Sequence, residues 1–293
     1  MKSNKRNRSE GWKQAKRSGH EYEQEFAKRV LDAKSDEYSA LMLFAEKRGI
    51  QAKPISVDAK KGTQKVEDFT GSQKTQSKTD AVVLFENGDT LNLSLKKSSV
   101  THGQAHLTTL QRFLDRITFL CGEKIPEEVT FVFKAFTGET DAKNIIEFAP
   151  EAKLKSPIIK KHNQQAELYQ NRLYISTIQE SYSRQWKTFQ EWLRNKMSLV
   201  THIVLSSGYA KNERDFADAI YYAKANQFFD LKEIQKLSAG YTVEKRDSGY
   251  YAGSTLTMPW GYLQLHRPGR KDGPYQLQFH HNYTDIIKLT SHK

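Results

Sequence analysis

The sequence predicts a mixed α/β fold in which helices flank a central β-sheet. Residues 79–85 and 90–96 are two runs of β-branched and apolar residues around a turn, which is the pattern of a β-hairpin. Residues 107–120 place their apolar side chains at helical spacing, and residues 128–136 have the β-branched and aromatic content of a central strand. The helix between hairpin and strand can act as a crossover within one sheet.

The chain begins with a basic, polar arm over residues 1–18, which we expect to be flexible. A helix is predicted over 19–33, because apolar residues recur at helical spacing from Tyr22 to Val30. Glu23 lies at the edge of that apolar stripe. Its carboxylate could point into a site or simply lie at the surface.

Two further elements are predicted before the hairpin. A second helix covers 36–48, with Gly49 as a plausible C-cap, and a first strand covers 51–57. Residues 58–77 are rich in Lys, Gln, Thr and Gly, which predicts a loop.

The length of the hairpin turn decides which side chains share a face. Period-two alternation places Ser94 and Lys96 on one face of the second strand. A two-residue turn would direct Asp80 to the other face, whereas a three-residue turn with a bulge pairs Asp80 with Ser94, diagonal to Lys96. We predict the three-residue turn, because Gly88 falls where that turn requires a positive φ.

A carboxylate beside an ammonium group suits metal-assisted hydrolysis of a phosphodiester. Asp80 would hold a hard divalent cation, and Lys96 would activate the attacking water or stabilise developing charge. Only one firm anionic ligand is visible, since many nucleases have Asp or Glu where this chain has Ser94. An ordinary amphipathic hairpin with a surface lysine is the alternative.

The composition favours a polyanionic partner. The 293 residues include 46 Lys and Arg against 34 Asp and Glu, a net charge of +12. An anionic membrane surface is the competing explanation, but no apolar run approaches the roughly 18 residues of a membrane span, and the N-terminus lacks a signal-peptide core. We therefore expect a soluble, cytoplasmic protein without a membrane partner.

Polar residues precede the apolar stripe of the helix over 107–120. His102, Gln104 and His106 form its predicted start, where His102 and Gln104 could contact a DNA groove or phosphate, or could simply cap the helix. Residues 128–136 then form the predicted central strand.

The second half of the chain alternates helices and strands in our prediction. Residues 151–165 are a basic surface connection, followed by a helix over 182–196, a strand over 199–205 and a helix over 213–225.

A C-terminal hairpin is predicted over 260–283, because apolar and polar residues alternate on both sides of a basic tip. Arg267, Arg270 and Lys271 at that tip could contact bases and phosphates of DNA, or the tip could be a solvated turn.

Several segments together resemble the PD-(D/E)XK endonucleases among the small type II restriction enzymes that cut four-base-pair palindromes, the group of the MspI and HinP types. They span nearly the whole chain in the right order. In that order they are the helix 19–29 with Glu23, SKTDAVV at 77–83, LSLKK at 93–97, FTGE at 136–139, EWLRNK at 191–196, RDFADA at 214–219 and the C-terminal GSTLTMPWGYLQLHRPGRKDG with LQF.

The resemblance implies a PD-(D/E)XK nuclease-like central mixed sheet flanked by helices, with additional helices and a C-terminal hairpin. It implies Mg²⁺-dependent cleavage of double-stranded DNA by Asp80, Ser94, Lys96 and Glu23, with Mg²⁺ held by Asp80, the Leu95 carbonyl and Ser94. Ser94 departs from the usual acidic residue, although members of this group also have neutral Gln or Asn there. DNA contacts are expected from Lys78, His102, Gln104, Arg267, Arg270 and Lys271.

We therefore predict a single endonuclease domain over 1–293, with a catalytic core over 19–150, a helical insertion over 151–200 and a C-terminal part over 201–293. The expected function is that of a type II site-specific deoxyribonuclease that leaves 5′-phosphate ends and acts as a monomer or weak homodimer. Two alternatives stay open: a homing or repair nuclease with the same site, and a non-catalytic DNA-binding protein on a decayed nuclease fold.

Overall fold

A computed structural model describes residues 21–59, 64–97, 102–138, 173, 175–246, 255–266 and 275–291. Its contacts divide the chain into two compact units, each made from two separate stretches of sequence. Unit 1 comprises residues 1–100 and 205–233, and unit 2 comprises residues 101–204 and 234–293. The predicted single domain over 1–293, with its internal parts, stays a prediction.

Two helices open the described part of unit 1, α1 over 21–29 and α2 over Asp36–Lys47. Ser35 caps α2 by accepting a hydrogen bond from the N–H of Tyr38 at 2.9 Å. Gly49 follows the end of α2 with a φ of 82°, a conformation that favours glycine. Both helices were predicted, and both are confirmed.

The described strands of unit 1 form a mixed five-stranded sheet and a small separate hairpin. The five strands lie in the order β1-β4-β5-β7-β8, in which β5 and β7 run parallel and the other neighbours run antiparallel. The small hairpin pairs β2 with β3 within residues that were predicted as a loop. In chain order, the strands are β1 (Pro54–Asp58), β2 (Lys65–Glu67), β3 (Lys74–Gln76), β4 (Ala81–Phe85), β5 (Thr90–Lys96), β7 (Ala219–Tyr222) and β8 (Gln227–Asp230).

The turn between β4 and β5 has the predicted length. The pairing of the two strands leaves residues 86–88 as a three-residue turn, in which Gly88 has a φ of 85°. This register brings Asp80, just before β4, next to Ser94 of β5.

Alternation along the strands gives the sheet of unit 1 two different faces. One face is apolar and packs against α1 and α2. The opposite face carries Asn92, Ser94 and Lys96 of β5. The buried core on the apolar side contains Phe26, Val30, Leu41, Phe44, Ala45, Ala81, Val83, Phe85, Leu91, Leu93, Leu95, Ala219, Tyr221 and Phe228.

Unit 2 contains an antiparallel sheet in the order β6-β11-β10-β9, together with helices. Its strands are β6 (His102–Thr108), β9 (Thr255–Met258), β10 (Gly261–His266) and β11 (Gln276–Asn282), so the predicted C-terminal hairpin is confirmed. No helix among the described residues is both long and apolar enough to cross a membrane. The remaining helices are α3 (Leu110–Cys121), α4 (Glu127–Thr137), α5 (Ile175–Ser181), α6 (Ser183–Thr201), α7 (Leu231–Leu237, across the boundary between the units) and α8 (Tyr283–Ser291).

The segment predicted as a central strand over 128–136 is a helix, α4, and that prediction was wrong. Its β-branched and aromatic residues suggested a strand, but Val129, Val132, Phe133 and Phe136 are spaced as one buried face of a helix. Packing of that face therefore overrides the strand propensity of the individual residues.

Three further predictions of secondary structure were wrong. Residues 199–205 are the end of α6 and part of a π-helix over His202–Ser207 rather than a strand. Residues 213–225 are two 3-10 turns around β7 rather than a helix. The polar start of the helix over 107–120 is strand β6, and α3 begins only at Leu110. Strands β6 and β7 each pair with residues more than 100 positions away, which local patterns do not reveal.

Candidate active site

The polar face of the sheet in unit 1 brings Asp80, Ser94 and Lys96 together. Asp80 Oδ2 accepts hydrogen bonds from the Ser94 hydroxyl at 3.2 Å and from the N–H of Leu95 at 2.7 Å. The Lys96 ammonium donates to the Ser94 oxygen at 2.8 Å and lies 4.0 Å from Asp80 Oδ2. The side chains of Asp80 and Lys96 remain 25% and 22% exposed, so a ligand can reach both charges.

Backbone carbonyls of residues 214–216 accept hydrogen bonds from side chains next to Asp80 and Ser94 in the sequence. The hydroxyls of Ser77 and Thr79 donate to the Asp215 carbonyl at 2.7 and 3.3 Å. The side-chain amide of Asn92 donates to the carbonyls of residues 214 and 216 at 3.1 and 2.9 Å. These hydrogen bonds fix the approach to Asp80 and the strand that carries Ser94. The sequence did not predict this supporting role.

The charges of Asp80 and Lys96 also influence the pKa of Lys78. Burial, and to a lesser extent the Lys96 ammonium, lowers the pKa of Lys78 to about 7, while the Asp80 carboxylate acts in the opposite direction. The aliphatic stem of Lys78 packs across Gly208. Sequence analysis predicted Lys78 as a DNA contact but did not predict its electrostatic interaction with Asp80 and Lys96.

Oxygen atoms of Asp80 and Leu95 are of the kind that bind a hard divalent cation such as Mg²⁺. Asp80 Oδ1 accepts no hydrogen bond from the described residues, and the N–H and C=O of a strand residue such as Leu95 point to the same side. Within the described part of the chain, no three His, Cys, Asp or Glu side chains cluster closely enough to hold a metal ion. Mg²⁺ commonly keeps several waters and binds through one or two carboxylates plus substrate phosphates, which this arrangement allows.

Two of the predicted catalytic residues are placed less favourably for binding a metal. The Ser94 hydroxyl already donates to Asp80 and accepts from Lys96, so it serves as a bridge between them. Glu23 lies half-buried on α1, which packs on the apolar face of the sheet through Phe26. The hydrogen bonds and ion pairs of Asp80, Ser94 and Lys96 within the described residues do not include Glu23, and its catalytic role stays a prediction.

Two of the predicted DNA contacts, His102 and Gln104, belong to unit 2. His102 is the first residue of β6, and Gln104 is exposed on the same strand. Arg267, Arg270 and Lys271 lie outside the described residues.

A row of side-chain amides that sequence analysis missed extends from Gln104 across three strands. Gln278 donates to the Gln104 amide oxygen at 2.8 Å, and Gln264 donates to that of Gln278 at 2.9 Å. Gln264 Nε2 also lies 2.8 Å from the ring of His280, which stacks on Tyr262 at 4.6 Å between ring centroids. Their alternation along β10 and β11 was visible in the sequence, but the pairing of β11 with β6 was not.

Comparison with known proteins gives a likeness to solved structures and none to sequence families. No protein-family model and no curated protein sequence matches the chain. Among solved structures, the chain is similar to restriction endonuclease MspI in complex with its cognate DNA, with a TM-score of 0.43 and 14% identity. The match covers 83% of this chain and 77% of that one. The chemistry of the site in unit 1 therefore carries the functional interpretation.

Proposed function

We propose that this protein is a DNA endonuclease that hydrolyses phosphodiester bonds with the help of Mg²⁺. The observation that carries the proposal is the 4.0 Å approach of the Lys96 ammonium to the Asp80 carboxylate, with the Ser94 hydroxyl bonded to both. The net charge of +12 supports a polyanionic substrate.

The side chains of the site have separate roles in this proposal. Asp80 and the Leu95 carbonyl would hold Mg²⁺ together with the substrate phosphate. When bound, Mg²⁺ polarises the phosphate and lowers the pKa of its water. Lys96 orients the attacking water and stabilises the charge that develops on the phosphate, while Ser94 keeps Lys96 and Asp80 at a fixed separation.

The reaction adds one water across the bond between phosphorus and the 3′-oxygen. The oxygen of water forms a new bond to phosphorus as the 3′-oxygen leaves in line. One proton is lost from the water and one is taken up by the 3′-oxygen. The products are a 3′-hydroxyl and a 5′-phosphate.

We further propose that cleavage is specific for a short, palindromic site in double-stranded DNA, as in type II restriction. The supporting observation is the row of glutamine amides on β6, β11 and β10, because paired hydrogen bonds from Gln can read the edge of adenine. Hydrogen bonds within the row hold these amides in place before DNA arrives, which lowers the entropic cost of binding.

The deciding experiment is a digest of unmethylated plasmid DNA by the purified protein at low salt, with Mg²⁺ or with EDTA. Discrete fragments that require Mg²⁺ are expected, and sequencing their ends gives the site and the position of the cut. DNA that is retarded on a gel but remains intact in both lanes would instead support a DNA-binding protein without catalytic activity. The single carboxylate of the site among the described residues is the observation that favours this second function.

Replacement of Lys96 by Ala tests the assigned chemistry. We expect Lys96→Ala to lower the rate of cleavage by about 100-fold or more while DNA binding changes little, since its charge acts mainly on the transition state. Lys34→Ala removes an equal charge from an exposed position and should cleave as the wild type does. Binding that weakens in proportion to cleavage would contradict this role of Lys96.

A further inference from the structure

The small hairpin of β2 and β3 presents one polar, exposed face. In its register Lys65 lies opposite Gln76, and Glu67 lies opposite Lys74. Directly opposed residues, and residues two positions apart on one strand, share a face of a hairpin, so these four side chains lie together. All four residues are exposed, whereas the residue between them on each strand is half-buried.

This face carries more positive than negative charge. Its carboxylate, Glu67, accepts a hydrogen bond from the Lys211 ammonium at 3.0 Å. Lys65 and Lys74 make no ion pair or side-chain hydrogen bond with the residues that the structure describes. Three ammonium groups against one carboxylate leave an excess of positive charge, which favours a polyanion as the partner of this face.

Backbone hydrogen bonds and a buried ring contact anchor the hairpin to unit 1. Phe69, which follows β2, donates its N–H to the Tyr209 carbonyl at 2.9 Å, and the two buried rings lie 5.9 Å apart between centroids. The N–H of Lys211 donates to the Glu67 carbonyl at 3.0 Å. A backbone that is fixed before binding lowers the entropic cost of forming an interface.

The anchor of the hairpin is continuous with the support of the candidate active site. Residues 209–211 hold the hairpin, and residues 214–216 follow directly along the chain. The carbonyls of residues 214 and 216 bind the amide of Asn92, which lies on the polar face of the sheet with Ser94 and Lys96. One stretch of chain therefore holds both the hairpin and the strand that carries the site.

The hairpin also leads directly to Asp80. Lys74 lies six residues before Asp80, and Lys65 is paired with Gln76, four residues before Asp80. An extended chain spans at most about 3.6 Å per residue, so the backbone at both lysines lies within roughly 22 Å of Asp80. This distance corresponds to about six base pairs of DNA.

We propose that the hairpin of β2 and β3 binds the DNA backbone, with Lys65 and Lys74 contacting phosphates that flank the scissile bond. The inference rests on the proposed endonuclease activity, which brings DNA to Asp80. The two lysines neutralise phosphates and take no part in the chemistry. Such contacts fix the orientation of a protein on the duplex and carry no sequence information themselves.

The first test measures binding of a labelled duplex in EDTA at several salt concentrations. Each phosphate contact contributes about 0.9 to the slope of log affinity against log salt. We expect Lys65→Ala combined with Lys74→Ala to make the slope shallower by about 2. Lys34→Ala combined with Lys47→Ala removes the same charge beside the two ends of α2, which packs on the apolar face of the sheet, and should keep the wild-type slope.

A variant that adds charge excludes misfolding as the cause. Gln76 is exposed on the same face as Lys65 and Lys74, so Gln76→Lys should make the slope steeper by about 1 and raise the affinity at low salt. Gln24→Lys adds an equal charge to the exposed side of α1 and should leave the slope unchanged. Equal slopes for Gln76→Lys and Gln24→Lys would contradict a contact at the hairpin.

The position of the contacts is tested with duplexes in which one phosphate near the cut is replaced by a neutral methylphosphonate. We expect the wild type to lose affinity at phosphates within about six base pairs of the cut. The variant without Lys65 and Lys74 should be insensitive at those positions. An unchanged pattern in this variant would overturn the proposal.

The outcomes separate this inference from the proposed function. Mg²⁺-dependent cleavage by the wild type, with an unchanged salt slope in the variant without Lys65 and Lys74, would overturn the inference and leave the endonuclease standing. DNA that stays intact but is bound with the expected change of slope would overturn the endonuclease and support the hairpin as a DNA contact. Neither cleavage nor binding by the wild type would overturn both.

Discussion

Ser94 connects the two charges of the candidate active site. Its hydroxyl donates to Asp80 Oδ2 and accepts from the Lys96 ammonium, and hydrogen bonds to charged groups contribute about 1.5–3 kcal/mol. We therefore expect Ser94→Ala to reduce the rate of cleavage by about tenfold or more, because each 1.4 kcal/mol changes a rate about tenfold. Single-turnover cleavage at saturating Mg²⁺ measures this effect.

Ser206→Ala is a matched control for that substitution. Ser206 is also buried in unit 1, but its hydroxyl donates to the Ala217 carbonyl at 2.7 Å rather than to a charged side chain. Its loss should lower thermal stability without changing the cleavage rate of the folded protein. If Ser206→Ala and Ser94→Ala slowed cleavage equally, the bridging role of Ser94 would be refuted.

The buried position of Lys78 predicts a dependence of stability on pH. Its pKa in the folded protein is about 7, against an ordinary value of 10.5 for a lysine in water. Between these values the unfolded chain binds a proton that the folded chain lacks, so the contribution of Lys78 to stability rises with pH over that window and is smallest below about pH 7. Lys78→Met removes this dependence.

Urea unfolding in EDTA measures the expected difference. Lys78→Met should gain stability relative to the wild type below about pH 7, and the gain should shrink as the pH rises toward about 10.5. A gain that stays the same at every pH would show that Lys78 titrates normally in the folded protein.

Part of the site could be predicted because it depends on local rules. The alternation of β5 and the three-residue turn with Gly88 were enough to place Ser94 and Lys96 beside Asp80. The contact between Lys78 and Gly208 joins residues 130 positions apart, and no local pattern indicates it.

Among the elements of unit 1, the turn between β4 and β5 sets the geometry of the candidate active site. Gly88 has a φ of 85°, and no atom lies within 4 Å of the position that a Cβ would take there. The cost of a side chain at this position is therefore conformational rather than steric. We expect Gly88→Ala to lower the free energy of unfolding by about 1 kcal/mol, since L-residues are disfavoured in this region by about 1–2 kcal/mol.

Gly88→Asn provides the matched control for the turn. Asparagine adopts the left-handed region more readily than other non-glycine residues, so this variant should lose less stability than Gly88→Ala. Chemical denaturation of both variants measures the difference. If Asn and Ala destabilised equally, the left-handed conformation at Gly88 would not be the cause.

Two of the elements that sequence analysis assigned wrongly, α4 and β7, were misassigned for different reasons. Residues of α4 have high strand propensity, yet their buried positions recur at helical spacing. Giving this periodicity more weight than the propensity of single residues would have predicted the helix. For β7 the pattern itself is ambiguous, because all four of its residues are buried and none alternates with a polar neighbour. A short strand that is buried on both faces resembles a helix segment until its partner strand is known.

At the scale of the whole molecule, each compact unit draws on two stretches of chain. Strand β7 enters the sheet of unit 1 more than 120 residues after its neighbour β5, and β11 lies more than 160 residues after its partner β6. Composition and linker signals describe boundaries along the chain. They could not indicate that residues 101–204 leave unit 1 and that residues 205–233 return to it.

The net charge of +12 predicts how the whole protein should respond to salt. Lys and Arg that neutralise DNA phosphates release counterions, so the logarithm of the binding constant should fall linearly with the logarithm of salt concentration. We expect a loss of affinity on the order of 1,000-fold between about 50 and 200 mM salt, as for roughly six phosphate contacts. Binding of a labelled duplex in EDTA measures the slope without cleavage. A slope near zero would mean that the excess charge of this chain does not serve DNA binding, and it would count against DNA as the substrate of the site around Asp80.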